Sequence, residues 1–280
     1  MSISGIISTI KNKCSSIKYR DSRSEFSLFL KRFQGEVVQT PDIVNVSKED
    51  ANWFINAYEK IRDDSKDFPI TKIYPFFYDR FSEAGCASGH YFHQDLLVAQ
   101  RLFKLNPRKH LDIGSRIDGF VAHVASFREI EVLDIRPQKA KIRNVQFRRG
   151  DLTKGSLGHD FNYDSISSLH AIEHFGLGRY GDNIDSNGHL KAISNIFEML
   201  EAKGTFFLSI PIGMQRIEFN AHRVFGLDYI LNVLNGRFDL SEFHFVDDSG
   251  DLHENIDTES NLMRESMYGC GIFVLKKKSI

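Results

Sequence analysis

The feature that most constrains this 280-residue chain is a change of texture at Lys109. Beyond it, short apolar runs alternate with helical or loop segments, whereas residues 1–107 carry no strong strand signal and read as mostly helical. Apolar runs too short for a helix and bounded by turn residues are buried strands, and strands alternating with helices build a parallel sheet. The reading places strands at His110–Gly114, Glu131–Ile135, Val145–Arg149, Ser165–Leu169, Thr205–Pro211, Leu240–Val246 and Cys270–Leu275. Helices fit Ile117–Phe127, Gly188–Leu200 and Leu227–Leu234. No helical segment separates the last two strands, so they are expected to pair antiparallel.

Upstream, Ser24 to Phe33 sets Phe26, Phe29, Leu30 and Phe33 on one helical face. Ser47 followed by Asp50 reads as a capping box that opens a helix through Asp64, with Trp53, Phe54, Ala57 and Ile61 buried. His93 to Phe103 reads as another helix, stopped by Asn106-Pro107. The expected organisation is a helical N-terminal extension over 1–90 and an α/β domain over 91–280.

The chemistry gathers at strand ends. In His110-Leu111-Asp112-Ile113-Gly114-Ser115-Arg116-Ile117-Asp118-Gly119 an apolar strand reaches an acid and turns through glycine into a helix. Gly114 lets the backbone approach a ligand, and the helix start offers free N–H groups. Glycine turns of this kind also hold dinucleotides, but Arg116 stands where a second glycine would admit a pyrophosphate. Asp134 closes the second strand, where an acid can accept from both ribose hydroxyls of an adenosine. Asp151 closes the third, placed to accept from an adenine amino group. Strand-end aspartates are also ordinary turn formers.

Further blocks carry a resemblance. Tyr163-Asp164-Ser165-Ile166-Ser167-Ser168-Leu169-His170-Ala171-Ile172-Glu173-His174 is similar to the fourth-strand block of class I S-adenosylmethionine (SAM) dependent methyltransferases. Met199-Leu200-Glu201-Ala202-Lys203-Gly204-Thr205-Phe206-Phe207-Leu208-Ser209-Ile210-Pro211 is similar to the next block of that family. Tyr91 to Asp95, Asp112 to Phe120, Glu173 to Asp182 and Phe219 to Phe225 resemble, more closely, a domain family of unknown function from nematodes and bacterial surface-polysaccharide gene clusters.

The resemblance implies an α/β, Rossmann-like, doubly wound seven-stranded sheet of class I methyltransferase type. It also implies SAM as cofactor and a sugar, nucleotide-sugar or glycan as the O-methylated acceptor, in surface-polysaccharide biosynthesis. The expected cofactor contacts are Asp112, Gly114, Ser115, Arg116, Asp134, Ile135, Asp151, Leu152 and His170. Asp134 to Val145 is too short for a crossover helix, which leaves a sheet face that a second subunit could cover in a homo-oligomer.

Methyl transfer to a hydroxyl asks for positioning and for a base with a pKa near neutrality. His174 and His222 are the base candidates, with Glu173 beside them; each histidine can instead simply hold a loop backbone. Arg179, Tyr180, Glu218, Asn220 and Arg223 are the expected substrate contacts, the arginines suiting a phosphate or carboxylate. His93 and Asp95 either cover the cofactor or, for Asp95, cap a helix.

His170-Ala171-Ile172-Glu173-His174 also spells the HxxEH zinc-peptidase motif, which needs both histidines on one helix. The strand leading into His170 argues against that, and no metal is expected. The other readings are a non-catalytic scaffold or binding protein with this fold, and a nicotinamide-dependent sugar enzyme. Balanced charge, 36 basic against 37 acidic residues, gives no footprint for nucleic acid. The three cysteines, Cys14, Cys86 and Cys270, form no CxxC pair and suit reduced thiols in a cytoplasmic setting. Met1 to Ile10 lacks the basic flank of a signal peptide, and no apolar stretch reaches the roughly 18 residues of a membrane span.

Overall fold

The computed structural model describes residues 26–40, 43, 46–65, 67–154 and 162–279. Cys14 and the apolar Met1 to Ile10 lie outside the described residues. The chain divides into two compact units between Cys86 and Ala87.

The first unit holds α1 (26–32), β1 (Glu36–Val37), α2 (Lys48–Asp64) and β2 (Lys72–Ile73). Phe26, Val46, Ala51 and Phe77 form its core, with Phe29, Leu30, Phe54 and Ile55 packed against them. Phe54 meets Phe26 and Phe77 edge-on, at 5.7 and 5.6 Å between ring centres. The Ser47 cap is as expected: its Oγ accepts from the Asp50 N–H at 3.0 Å and donates to the Asp50 carboxylate at 2.6 Å. The buried face of α2 differs from the expectation. Ala51 is its buried residue, while Trp53 and Ile61 are exposed and Trp53 lies under the Arg80 guanidinium at 4.2 Å. The short parallel pair β1–β2 had no counterpart in the helical reading, because two-residue strands leave no periodicity to detect.

The second unit opens with α3 (His90–Leu105) and β3 (His110–Ile113). An irregular turn over Ile117–Val121 then leads into the short α4 (Ala122–Ala125), β4 (Ile130–Asp134), β5 (Val145–Arg149) and β6 (Tyr163–Leu169). There follow α5 (Gly188–Met199), β7 (Leu200–Ile212), β8 (Arg216–Glu218), β9 (His222–Val224) and α6 (Leu227–Asn235). The unit closes with β10 (Phe238–Val246), β11 (Leu252–His253), α7 (Asn261–Glu265) and β12 (Gly269–Lys277). The sheet order is β11-β10-β12-β7-β6-β3-β4-β5. Strands β3 to β7 pair in parallel, and β12 is inserted antiparallel between β7 and β10. Five parallel strands with an antiparallel last strand wedged beside the fifth is the class I methyltransferase arrangement of a Rossmann-like sheet. The eighth strand, β11, is two residues at the edge that sequence reading passed over.

Strand residues alternate between the faces. Leu111, Ile166, Phe206 and Leu208 pack with Ile193 and Ile196 of α5 and Ile230 of α6. Val132, Phe207 and Ile272 pack with Leu97, Val98 and Leu102 of α3 and with Phe120 and Val124. This second face also carries a buried polar seam. His110 bonds Ser165 and Ser167 at 3.0 and 3.1 Å, and Ser167 donates to Asp112 at 2.6 Å.

Two helix boundaries differ from the sequence reading. The helix expected over Ile117–Phe127 is broken, because Gly119 adopts φ −121° and ψ −111° inside it. A side chain there would have to displace the Asp95 carboxylate, since a Cβ on Gly119 would lie 2.3 Å from it. Helix α3 starts three residues earlier than expected, after Gly89 at φ +86°, so Asp95 is a buried mid-helix residue and not a cap. Asp134 to Val145 carries no helix, as expected, and no helix among the described residues is long and apolar enough to cross a membrane.

Candidate functional site

The carboxyl ends of β3, β4, β5 and β6 open on one cavity of about 460 Å³. Ligand sites of parallel α/β sheets lie at that edge, and the volume is within the range of small-molecule pockets.

On one side the turn after β3 is stitched locally. Asp112 accepts from the Ser115 N–H at 3.1 Å and its hydroxyl at 2.6 Å, and the Leu169 N–H donates to the Ser115 Oγ at 3.1 Å. These bonds fix Gly114 at φ +71°, where a Cβ would lie 2.9 Å from the Ala171 Cβ. Gly114 lines the cavity, while Asp112 and Ser115 stay buried behind it. Burial pushes the Asp112 carboxyl up to about 7 against the pull of its Ser115 and Ser167 bonds. Arg116 reaches the cavity rim, held to Asp118 at 2.8 Å and lying over the Tyr91 ring at 5.0 Å.

Asp134 and Ile135 line the cavity after β4. The Asp134 carboxylate accepts both from the Arg136 backbone at 2.8 Å and from its guanidinium at 3.0 and 2.6 Å. Arg136 in turn lies over the Tyr180 ring at 4.5 Å. Asp151 and Leu152 line the cavity after β5. Asp151 Oδ1 takes the Thr153 N–H and hydroxyl, while its buried Oδ2 has no hydrogen bond among the described residues and lies 3.4 Å from the Lys154 ammonium.

The opposite side is built over long sequence distances. His170 sits at φ +49° directly after β6 and donates from Nδ1 to the Glu173 carboxylate at 2.7 Å. Burial favours neutral His170, but the adjoining Cys270 sulfur and the Glu173 carboxylate prevail and hold its pKa well above the usual value. Glu173 is itself buried, which works against its charge, yet His170 keeps its carboxyl below the ordinary range. His174 points Nδ1 at the Ala221 carbonyl, 2.6 Å away, which fixes the tautomer and leaves Nε2 on the cavity side, 3.7 Å from Glu173. Burial lowers the His174 pKa, so its imidazole is neutral near pH 7. His222 meets it edge-on with ring centres 6.3 Å apart and faces Tyr268 at 5.2 Å. Burial raises the Tyr268 phenol to about 12.

Over this side lies the loop of Gly176 to Asp182. Asp182 pins it by accepting from the N–H groups of Gly176, Gly178 and Tyr180 at 2.7, 3.3 and 3.3 Å. Gly176 is obligatory: it sits at φ +80°, and a Cβ would lie 1.9 Å from the Asp185 carbonyl oxygen. Arg179 and Tyr180 from this loop line the cavity, with Arg179 donating to the Ala221 carbonyl at 3.1 Å.

Glu218, Asn220 and Arg223 are expected substrate contacts that do not line the cavity. Glu218 pairs with Arg216 at 2.8 Å and sits 3.3 Å from His222, and Asn220 is the φ +62° corner of the β8–β9 ribbon. Arg223 is buried and donates to the carbonyls of Glu173, Phe175 and Ser186 at 3.3, 2.6 and 3.2 Å. Its guanidinium is therefore a clamp for the loops after β6, with no donor turned to a ligand in the cavity. The HxxEH reading also fails, because Ile172–His174 is a single 3₁₀ turn and no helix carries His170 and His174 together. Arg136 and Tyr268 line the cavity but were missed from sequence. Arg136 was readable two residues past the strand-end acid, whereas Tyr268 had no local signal.

No curated protein sequence matches the chain at a significant level. Among solved structures it is similar to the N-methyltransferase NodS from Bradyrhizobium japonicum WM9 bound to S-adenosylhomocysteine (13% identity, 80% of this chain and 100% of that one, TM-score 0.46). It is also similar to 1,6-didemethyltoxoflavin-N1-methyltransferase from Burkholderia thailandensis (11% identity, 86% and 94% covered, TM-score 0.45). A third is a SAM-dependent methyltransferase from Clostridium acetobutylicum (14% identity, 81% and 99% covered, TM-score 0.45). The family profile described as "Caenorhabditis protein of unknown function, DUF268" matches residues 123–277, more than half of the sequence, and the chain belongs to that family.

Proposed function

We propose that this protein is a SAM-dependent methyltransferase that acts on a hydroxyl of a sugar, nucleotide-sugar or glycan. The observation that carries the reading is the convergence of Gly114, Asp134 and Asp151, from three successive parallel strands, on one cavity. The residues fit the cofactor. Asp134 offers a carboxylate for ribose hydroxyls, and the buried Asp151 Oδ2 lacks a hydrogen bond that an adenine amino group can provide. Leu133, Ile135 and Leu152 give the apolar walls that a base needs.

When bound, SAM supplies an electrophilic methyl group on a sulfonium. The chain's own residues then have three tasks. Tyr91, Tyr180 and Tyr268 line the space for an acceptor sugar, and Arg179 offers a cation to a phosphate attached to it. The loop pinned by Asp182 excludes water. His174, neutral and with Nε2 toward the cavity, takes the hydroxyl proton, and the buried Glu173 stabilises the imidazolium that results.

One observation favours the alternative of a non-catalytic binding protein: the Asp134 carboxylate is already held by Arg136. Calorimetry with S-adenosylhomocysteine decides between them. The wild type is expected to bind at micromolar strength. Asp134→Ala is expected to weaken binding by about 2–3 kcal/mol, roughly 30- to 150-fold, and His174→Gln to leave it unchanged. Absence of binding to the wild type sinks the enzyme reading.

A further inference from the structure

Beneath the cavity, three side chains from three separate elements converge. His90 opens α3, His170 follows β6, and Cys270 lies on β12. One ligand atom from each lies within 4.8 Å of the other two. Cys270 and His170 are buried and His90 is half-buried, its ring stacked on His170 with centres 5.2 Å apart and planes within 2°.

The decisive detail is the state of His170. Its Nδ1 is engaged by Glu173 at 2.7 Å, while its buried Nε2 has no nitrogen or oxygen partner among the described residues and the Cys270 sulfur adjoins the ring. A carboxylate on one imidazole nitrogen, with the other free to take an ion once its proton is displaced, is how metal-binding histidines are oriented. Besides adjoining His170, the Cys270 sulfur makes two long contacts, 3.8 Å to the Gln94 amide oxygen and 3.9 Å to the Gly271 carbonyl. Gln94 is already engaged by the Ser209 hydroxyl. Two imidazoles and a thiolate select zinc or a similar borderline divalent ion over magnesium or calcium. Three protein ligands with a fourth position open is the pattern of zinc sites that bind a reacting group.

We propose that His90, His170 and Cys270 bind one zinc-class divalent ion, oriented by Glu173, with the fourth position left for a water or for a heteroatom of a molecule in the cavity. The ion set excludes His174, whose Nδ1 is committed to Ala221, so the site is distinct from the HxxEH pattern. Coordination there lowers the pKa of a bound water or acceptor hydroxyl. The site does not depend on the methyl-transfer reading.

The test is titration of the metal-stripped full chain with Co²⁺, followed by displacement with Zn²⁺. About one equivalent is expected, with the visible bands of tetrahedral cobalt and a thiolate-to-cobalt charge-transfer band that Cys270→Ser abolishes. His90→Ala should weaken uptake at least tenfold, and Glu173→Gln by about 10- to 100-fold. Circular dichroism checks each variant. If Cys270→Ser does not fold, the charge-transfer band of the wild type and the His90→Ala affinity decide. No stoichiometric uptake, or uptake without the thiolate band, overturns the proposal. S-adenosylhomocysteine calorimetry on the same samples reports the cofactor site separately.

Discussion

The loops after β3, β4 and β5 and those after β6 and β7 face one cavity but are built on opposite plans. In the first group each acid takes a hydrogen bond from within three residues: Asp112 from Ser115, Asp134 from Arg136, Asp151 from Thr153. In the second group the bonds cross long stretches of chain. His174 reaches Ala221, Arg179 reaches the same carbonyl, and Arg223 reaches back to Glu173, Phe175 and Ser186. A locally stitched loop keeps its shape if a neighbour is altered, whereas a cross-linked one depends on distant elements all being in place.

The sharpest way to break the contrast is at Arg223. Arg223→Ala removes the donor to three carbonyls at once, and is expected to destabilise the unit by about 3 kcal/mol in urea unfolding. Asp134→Ala, in the local group, should cost less than about 1 kcal/mol because the pair it breaks is at the surface of the cavity. Equal losses would erase the distinction.

Asp112 sharpens it differently, since it is the one strand-end acid that also bonds across strands, to Ser167. Burial raises its pKa to about 7, so the folded chain retains a proton that the unfolded chain has released above about pH 4. This contribution to stability is full in acid and is lost as pH rises through about 7. The stability of the wild type relative to Asp112→Asn should therefore fall by about 2–3 kcal/mol between roughly pH 5 and pH 8. A flat difference in urea midpoints would show that Asp112 is ionised throughout.

The smallest effect is expected at Arg136. Its guanidinium competes with any ribose for Asp134, so Arg136→Ala should tighten S-adenosylhomocysteine binding by about threefold, or roughly 0.7 kcal/mol. Weaker binding would mean that Arg136 belongs to the ligand's own contacts.

The same contrast explains what could be read from sequence. Asp134 and Asp151 were legible because an acid closing an apolar run marks the ligand edge of a parallel sheet, wherever the rest of the chain goes. The antiparallel pairing of the last two strands was legible from the missing helix between them. Arg223 was misassigned because a charged residue in a turn-rich stretch reads as solvent-facing, and only the fold shows it buried among carbonyls. Tyr268 and His90 were invisible for a related reason: the ring contacts that place them, of His90 with His170 and with Tyr268, join residues far apart in the chain. The break at Gly119 and its closeness to the Asp95 carboxylate, 24 positions upstream, show only in the fold.

The insertion of β12 between β7 and β10 has a consequence for biosynthesis. As the chain emerges from the ribosome, β7 and β10 are complete while the slot between them is still empty. Both present unpaired backbone edges until Gly269–Lys277 arrives, and such edges invite pairing with other chains. The segment that seals them also delivers Tyr268 and Cys270, so the sheet is protected and the site completed in a single late step.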